Sequence, residues 1–307
     1  MDRAPKQCVR IFKGHEGPVY CAAFEGSHLP TTCIICLATG AYLLTGGQDK
    51  EVSLFNVHSG SLISTFSGCG YTVNDLSISP GGGTFLTGAG RTLHLWDTAG
   101  QRILRRFTGH QERINAVAYG AGDSIAASAS YDRTVRLWDV RGSGRFPLMV
   151  LEEARDSVTA LHLHRHFILT GSVDGYVRCY DIRKGALKID HVQHPITTVR
   201  FTEDCLAYIA TSLDSTIRLF DMSSGIVLNS YVGHTNSSHP IRATLFAEDA
   251  LIAAGSEDGA LHIWDLLTAK PVSVLSDHRQ SLTFVIPHPK LDSLLTGSLD
   301  GTVRLWS

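Results

Sequence analysis

This sequence lacks an excess of charge of either sign. Its 27 Lys and Arg residues are matched by 29 Asp and Glu, leaving a formal net charge of −2 at pH 7. Such a balance gives no bulk electrostatic pull toward nucleic acid or an anionic membrane. Long apolar runs are missing too. The longest obvious one, Cys33–Ala38 (CIICLA), falls far short of the roughly 20 residues that span a bilayer. The opening MDRAPKQCVR has no apolar stretch of the secretory type. Seven cysteines, an odd number, lie scattered at 8, 21, 33, 36, 69, 179 and 205. They fit reduced, buried thiols in a cytosolic or nuclear protein better than a disulfide framework. No long stretch carries a 3.6-residue hydrophobic period, and no Walker loop, kinase signature or dinucleotide fingerprint occurs. What remains is a chain of 307 residues, 43% apolar, long enough to bury a large core.

The chain also repeats itself. SASYDRTVRLWD (Ser128–Asp139) returns as TGSVDGYVRCYD (Thr170–Asp181), ATSLDSTIRLFD (Ala210–Asp221), AGSEDGALHIWD (Ala254–Asp265) and TGSLDGTVRLWS (Thr296–Ser307). The aromatic near the end of each unit falls at Phe55, Trp96, Trp138, Tyr180, Phe220, Trp264 and Trp306, in steps of 41, 42, 42, 40, 44 and 42 residues. A period in the low forties with this signature predicts an all-β propeller of four-stranded blades. Alternation in RTVRLWD and TVRLW argues for strands, and the short Asp- and Gly-bearing links between runs suit tight hairpin turns.

These residues resemble the WD-repeat β-propeller family over essentially the whole chain, with seven blades. The units lie near 14–56, 68–97, 109–139, 151–181, 194–221, 233–265 and 277–307. In that family each repeat offers Gly-His, then Ser or Thr, then a turn Asp, then Trp. Gly14-His15, Gly109-His110 and Gly233-His234 match the first element, and Asp277-His278 keeps only the His. Asp49, Asp132, Asp174, Asp214, Asp258 and Asp300 match the turn Asp. Two structural networks are expected complete: His110, Ser128, Asp132 and Trp138, and His278, Thr296, Asp300 and Trp306. Repeat two departs, with Cys69 for His and a turn, TGAGRT, one residue short and without Asp. Repeat four has no Gly-His, and repeat five has only His194 nearby. The last unit stops inside a third strand, while Gln7–Phe12 stands where other repeats carry a fourth. The N-terminal strand is therefore expected to pair with the C-terminal blade and close the ring, leaving only short, protected edges. One irregularity is large. Phe24 to Thr45 spans 21 residues where Tyr119 to Ser128 spans 9. The surplus, near 25–41, reads as a protruding loop, an apolar flap on a neighbour, or intronic sequence retained in the coding frame.

Candidate chemistry is sparse. His, Ser and Asp recurring in several repeats form a structural chain of donors and acceptors rather than a catalytic triad. Cys33-Ile34-Ile35-Cys36 lacks the second pair that a zinc ribbon needs. His162, His164 and His166 run from a strand end into a hairpin, with no carboxylate or Cys at ligand spacing. Arg102, Arg105, Arg106 and Arg113 could touch phosphates, but alternation splits Arg105 from Arg106 and no aromatic platform accompanies them. No enzyme activity, cofactor, metal, membrane or direct nucleic-acid contact is expected. Trp138-Asp139-Val140-Arg141 resembles the W-D-x-R motif of WD-repeat substrate receptors that meet a cullin–RING ubiquitin ligase adaptor, and Tyr180-Asp181-Ile182-Arg183 is a weakened copy.

The family layout implies a top face built from loops around the channel mouth. Carried over by position, its partner-binding candidates are Tyr20, Gln48, Asn74, Arg113, Asn115, Tyr131, Thr159, Thr197, Arg242, Glu257 and Thr283. Tyr20, Tyr131, Arg113 and Arg242 are the best anchors, since aromatics and Arg dominate binding hot spots. A narrower resemblance, to the family of mitogen-activated-protein-kinase organisers, rests mostly on Leu151–Asp221, including Glu153–Asp156 in place of Gly-His. It implies a non-catalytic scaffold, monomeric within a larger assembly, cytoplasmic and nuclear. The partners it implies are other proteins, either kinase-cascade components or splicing factors of the spliceosome.

Overall fold

The structure, a computed structural model, describes residues 4–24, 40–120 and 122–307. The segment near 25–41, and with it the Cys33/Cys36 pair, lies almost entirely outside the described residues. Every described element is a strand. The first, β1 (Cys8–Phe12), stands apart in sequence from its sheet. Blade one follows as β2 (Val19–Phe24), β3 (Tyr42–Gly47), β4 (Val52–Asn56) and β5 (Leu62–Phe66). Blade two is β6 (Val73–Ile78), β7 (Thr84–Ala89), β8 (Thr92–Asp97) and β9 (Arg102–Thr108). Blade three is β10 (Ile114–Tyr119), β11 (Ile125–Ser130), β12 (Val135–Asp139) and β13 (Met149–Leu151). Blade four is β14 (Val158–His164), β15 (Phe167–Ser172), β16 (Tyr176–Asp181) and β17 (Ala186–His191). Blade five is β18 (Ile196–Phe201), β19 (Ala207–Ser212), β20 (Thr216–Asp221) and β21 (Val227–Tyr231). Blade six is β22 (Ala243–Phe246), β23 (Leu251–Gly255), β24 (Ala260–Asp265) and β25 (Pro271–Ser276). Blade seven is β26 (Leu282–Pro287), β27 (Leu294–Ser298) and β28 (Val303–Trp306), completed by β1. Among the described residues the seven sheets are four-stranded and antiparallel, as the repeat predicts, and six of them are meanders in chain order.

Closure follows the expected route. β1 pairs antiparallel with β28, setting Cys8 opposite Trp306 and Phe12 opposite Val303. Backbone bonds from Lys6 N–H and Gln7 N–H to the Ser307 carbonyl, at 3.1 and 3.2 Å, extend the seam. Phe12 is fully buried against Phe55 of blade one, ring centroids 5.6 Å apart. The seam therefore seals both a sheet and a blade junction.

The apolar core is layered between blades rather than pooled at the centre. Blades one and two share Leu44, Val52, Leu76, Phe85 and Trp96. Blades seven and one share Phe284, Leu295, Phe24 and Phe55, and each of the other junctions has its own cluster. Close approach explains a glycine in the second strand. A Cβ on Gly171 would come within 2.5 Å of Ile196 on the next blade. Turn chemistry explains the Asp-x pairs. The residue after each turn Asp has positive φ, as Gly in three blades and as Lys50, Arg133 and Ser215 in the others.

Removing residues 1–12 deletes the fourth strand of blade seven and exposes the Phe12 contact, which alone is worth about 3–5 kcal/mol. Differential scanning calorimetry should show the truncated chain melting lower by on the order of 10 °C. An unchanged melting point would show that the seam does not hold the ring.

Candidate interaction surface and the networks beneath it

In six blades the innermost strand carries a β-bulge after its first residue. The extra residue is Tyr20, Asn74, Asn115, Thr159, Thr197 or Thr283. A bulge re-aims a side chain out of the ladder, and four of these, Asn74, Asn115, Thr159 and Thr283, reach a carbonyl of the neighbouring blade. Asn74 Nδ2 donates to the Ile114 carbonyl at 2.8 Å. Asn115 Nδ2 donates to the Val158 carbonyl at 2.8 Å and to Ser157 Oγ at 3.0 Å. The Thr159 hydroxyl reaches the Ile196 carbonyl, and the Thr283 hydroxyl reaches the Val19 carbonyl at 2.6 Å. Thr197 is buried; its hydroxyl donates to the Thr211 carbonyl, and Thr198 makes the link to the Ile241 carbonyl at 3.3 Å. Cys21 Sγ to the Val73 carbonyl and Arg242 N–H to the Thr283 carbonyl complete a belt through all seven junctions. Asn74, Asn115, Thr159, Thr197 and Thr283 are thus engaged within the fold.

Arg242 does more. Its guanidinium donates to Asp75 Oδ1 at 2.6 Å and to the Asn74 carbonyl at 3.3 Å. It lies just before blade six and its partners lie on blade two. These blades are not neighbours, so the bond crosses the channel. Asp75 also accepts Val117 N–H of blade three at 2.7 Å. Glu257 is occupied differently. It takes the N–H groups of Ser237 and Ser238, each at 2.6 Å, and so organises the loop entering blade six. Burial alone would raise its carboxyl; those N–H bonds outweigh it and hold the group at about 2. Gln48, Arg113 and Tyr131 remain exposed, and Tyr20 is half-buried. The Arg113 guanidinium lies 5.4 Å from the Tyr131 ring centroid. Tyr71, 66% exposed, joins this surface. Its ring lies against Gly90, where a Cβ would come within 2.8 Å of it. The sequence mark of this place is the blade-two turn, one residue short and carrying Gly90.

The two expected networks are formed. In blade three the Trp138 indole N–H donates to Ser128 Oγ at 2.8 Å, Ser128 Oγ lies 2.8 Å from His110 Nε2, and His110 Nδ1 lies 2.8 Å from Asp132 Oδ2. One tautomer satisfies every partner: Nδ1–H donates to the carboxylate and Nε2 accepts from the hydroxyl. Blade seven repeats this through Trp306, Thr296, His278 and Asp300 at 2.8, 2.8 and 3.0 Å. Burial opposes ionisation of Asp132, but the bonds from His110 and Thr134 prevail and hold its carboxyl well below the usual range. The Ser128 hydroxyl is wholly buried beneath the indole, which makes it a structural group and not a nucleophile. Blade one has His15 between Asp49 and Thr45, each at 2.6 Å, with Phe55 in place of the indole donor.

Other blades solve the same problem differently. In blade four Arg178 bridges to Asp174 and Ser172, both at 2.8 Å, filling the place of the missing His. Arg218 does the same for Asp214 and Ser212 in blade five. Glu153, from the run that replaces Gly-His, accepts the Tyr180 hydroxyl at 3.0 Å. In blade two Trp96 keeps its bond to Thr87 at 2.9 Å, with Cys69 Sγ 3.9 Å from that hydroxyl. Blade six has the Gly-His and the Trp but carries Ala254 where blade three has Ser128. His234 is buried with both ring nitrogens unpartnered among the described residues, and Trp264 turns its N–H to the Val232 carbonyl at 3.1 Å.

The remaining motifs also have places. His162 and His164 stack at 6.4 Å on β14, and His162 Nδ1 accepts Phe201 N–H, while His166 sits in the turn against Arg183 and Asp181. Arg105 and Arg106 point to opposite sides of β9, Arg105 half-buried and Arg106 exposed. Buried Cys69 and Cys179 are pushed up to about 11 and 12 by desolvation, which leaves them poor nucleophiles.

With this geometry in view, comparison with known proteins identifies the repeat. The model of the WD domain, G-beta repeat, matches residues 6–56, 60–97, 101–139, 145–181, 225–265 and 269–307. The chain belongs to this family. Blade five, which has no Gly-His, falls largely in the stretch without a match. The chain is 31% identical over 328 residues to the WD repeat domain-containing protein 83 homolog of Dictyostelium discoideum, covering 97% of each. It is 38% identical to WD repeat domain-containing protein 83 of Rattus norvegicus over 281 residues, covering 87% of this chain and 85% of the relative. The Homo sapiens protein of that name gives 38% over 271 residues, with the same coverage.

Two outcomes follow. Ala254→Ser supplies blade six with the missing hydroxyl and should raise stability by about 1 kcal/mol in urea unfolding; a loss instead would show that His234 and Trp264 do not converge on that position. His94 and His234 are depressed to about 4, first by burial and then by Arg106 and His262 respectively. Between the unfolded value near 6.5 and about 4, the unfolded chain binds more protons. Stability is therefore complete above that window and falls as pH drops through it. Urea midpoints from pH 7 to 4.5 should drop less steeply for His94→Leu/His234→Leu, and identical slopes would remove both imidazoles from the account.

Proposed function

We propose that this chain is a non-catalytic interaction scaffold that assembles multiprotein complexes in mitogen-activated-protein-kinase signalling, pre-mRNA splicing, or both, in cytoplasm and nucleus. The observation that carries the proposal is similarity to the WD repeat domain-containing protein 83 relatives over 97% and 87% of the chain, joined to a closed ring on which Gln48, Tyr71, Arg113 and Tyr131 are exposed. Such rings present loop side chains on a fixed frame, which suits protein partners. The kinase and splicing assignments come from the resemblance of Leu151–Asp221 to the organiser family. A cullin–RING substrate receptor is the second reading. It is favoured by Arg141, exposed two residues beyond Trp138-Asp139, and adaptor binding abolished by Arg141→Ala would select it.

Affinity purification of the full chain from native extract, with quantitative mass spectrometry, tests the proposal. Kinase-cascade or splicing proteins should be enriched and should fall at least tenfold with Arg113→Glu/Tyr131→Ala, while the melting point stays within about 2 °C, because both side chains are exposed. Recovery of neither class would sink the scaffold reading.

A further inference from the structure

Six connections lead from a third strand to a fourth strand of the same blade. Five contain four or five residues: 57–61, 98–101, 182–185, 222–226 and 266–270. Blade three uses nine, 140–148, and its fourth strand β13 is reduced to three residues where the others have five to seven.

The long loop is firmly held. Arg105 reaches across from blade two, its guanidinium 4.7 Å from the Phe107 ring centroid, and donates to the carbonyls of Asp139 at 3.1 Å, Gly142 and Gly144. Asp139 Oδ1 accepts the N–H groups of Arg141 and Gly142 at 3.0 and 2.8 Å. Arg141 Nη2 donates to the Gly122 carbonyl at 2.7 Å, and Leu148 N–H to the Leu137 carbonyl at 2.7 Å. On this frame Phe146 is 85% exposed and Leu148 61%. Val140–Met149 contains two arginines, Arg141 and Arg145, both exposed, and no acid.

A phenylalanine in water adds nothing to the core, and fixing loop backbone costs about 1–2 kcal/mol per residue. The geometry points to a docking element on the rim of blade three: Phe146 and Leu148 insert into an apolar pocket of a protein partner whose edge carries aspartate or glutamate facing Arg141 and Arg145. Pre-ordering by Arg105 removes part of the entropy lost on binding, and an aromatic preceded by two arginines in one loop has the composition of a binding hot spot. The element is separate from the channel-mouth residues, and it rests on the chain being an interaction scaffold.

The test places p-benzoylphenylalanine in the full chain at position 146, 131 or 267, with irradiation in native extract and mapping of crosslinked peptides. Leu267 is the control, 83% exposed on the short turn of blade six. Position 146 should give one dominant adduct to another protein, at a site with Asp or Glu beside apolar residues, at least tenfold above position 267. Arg145→Glu should cut its yield fivefold or more, and Arg145→Lys should keep it. Phe146→Ala should leave the melting point unchanged. Adducts at 146 that match those at 267, that join a second copy of this chain, that map to a site without carboxylates, or that ignore Arg145→Glu overturn the proposal. Adducts at 131 with none at 146 overturn it while sparing the scaffold reading; none at either position removes both.

Discussion

Each blade exposes the inner edge of its innermost strand to the channel, and those backbone groups need partners. Buried N–H and C=O groups left unpaired are costly, so this requirement shapes the centre of the molecule. The bulge at the start of the strand is the device that meets it. One residue leaves the ladder, and in four blades its side chain bonds the next blade's carbonyl. Asp75 and Ser77 then take the N–H groups of Val117 and Tyr119. Apolar layers between blades supply most of the burial, while the polar belt fixes how the blades are phased. The Arg242–Asp75 pair braces the ring across its own diameter, where no adjacent strand can.

The seven blades share an architecture without sharing a chemistry. Blades three and seven use the complete Trp–hydroxyl–His–Asp chain. Blades four and five substitute an arginine from the third strand, which holds the turn Asp directly. Blade six keeps the imidazole and indole but lacks the hydroxyl that would join them. The turn Asp is the common element in six blades, because its carboxylate accepts the N–H groups of the following turn whatever side chain approaches from behind. The cost of a missing His therefore stays local.

Much of this was legible in the sequence. The period, the turn Asp residues and the misplaced strand at Gln7–Phe12 give the blade count and the closure, because strand alternation and turn chemistry are local signals. The tetrads of blades three and seven are legible for the same reason. The bulges were not, since a one-residue slip leaves no mark in a pattern of apolar residues. Position alone could nominate Asn74, Asn115 and Thr159 for partners, but only the register shows their side chains turned toward the next blade. Arg242 meeting Asp75 is a contact between residues 167 apart in the chain, invisible to any local rule. Ala254 was readable, yet it weighs only when set against Ser128 in the aligned strand.

The seam between β1 and β28 also dictates an order of events at the ribosome. β1 finds its sheet only when β28 emerges, after all the strands between them. At roughly 5–20 residues per second, that leaves β1 unpaired for on the order of tens of seconds. Its alternate residues Val9 and Ile11, still 43–52% exposed in the finished ring, are then bare in an extended, apolar segment that other chains can pair with. A nascent propeller of this design has its greatest need of a chaperone at its N-terminus, late in synthesis, when nearly all its other blades already stand.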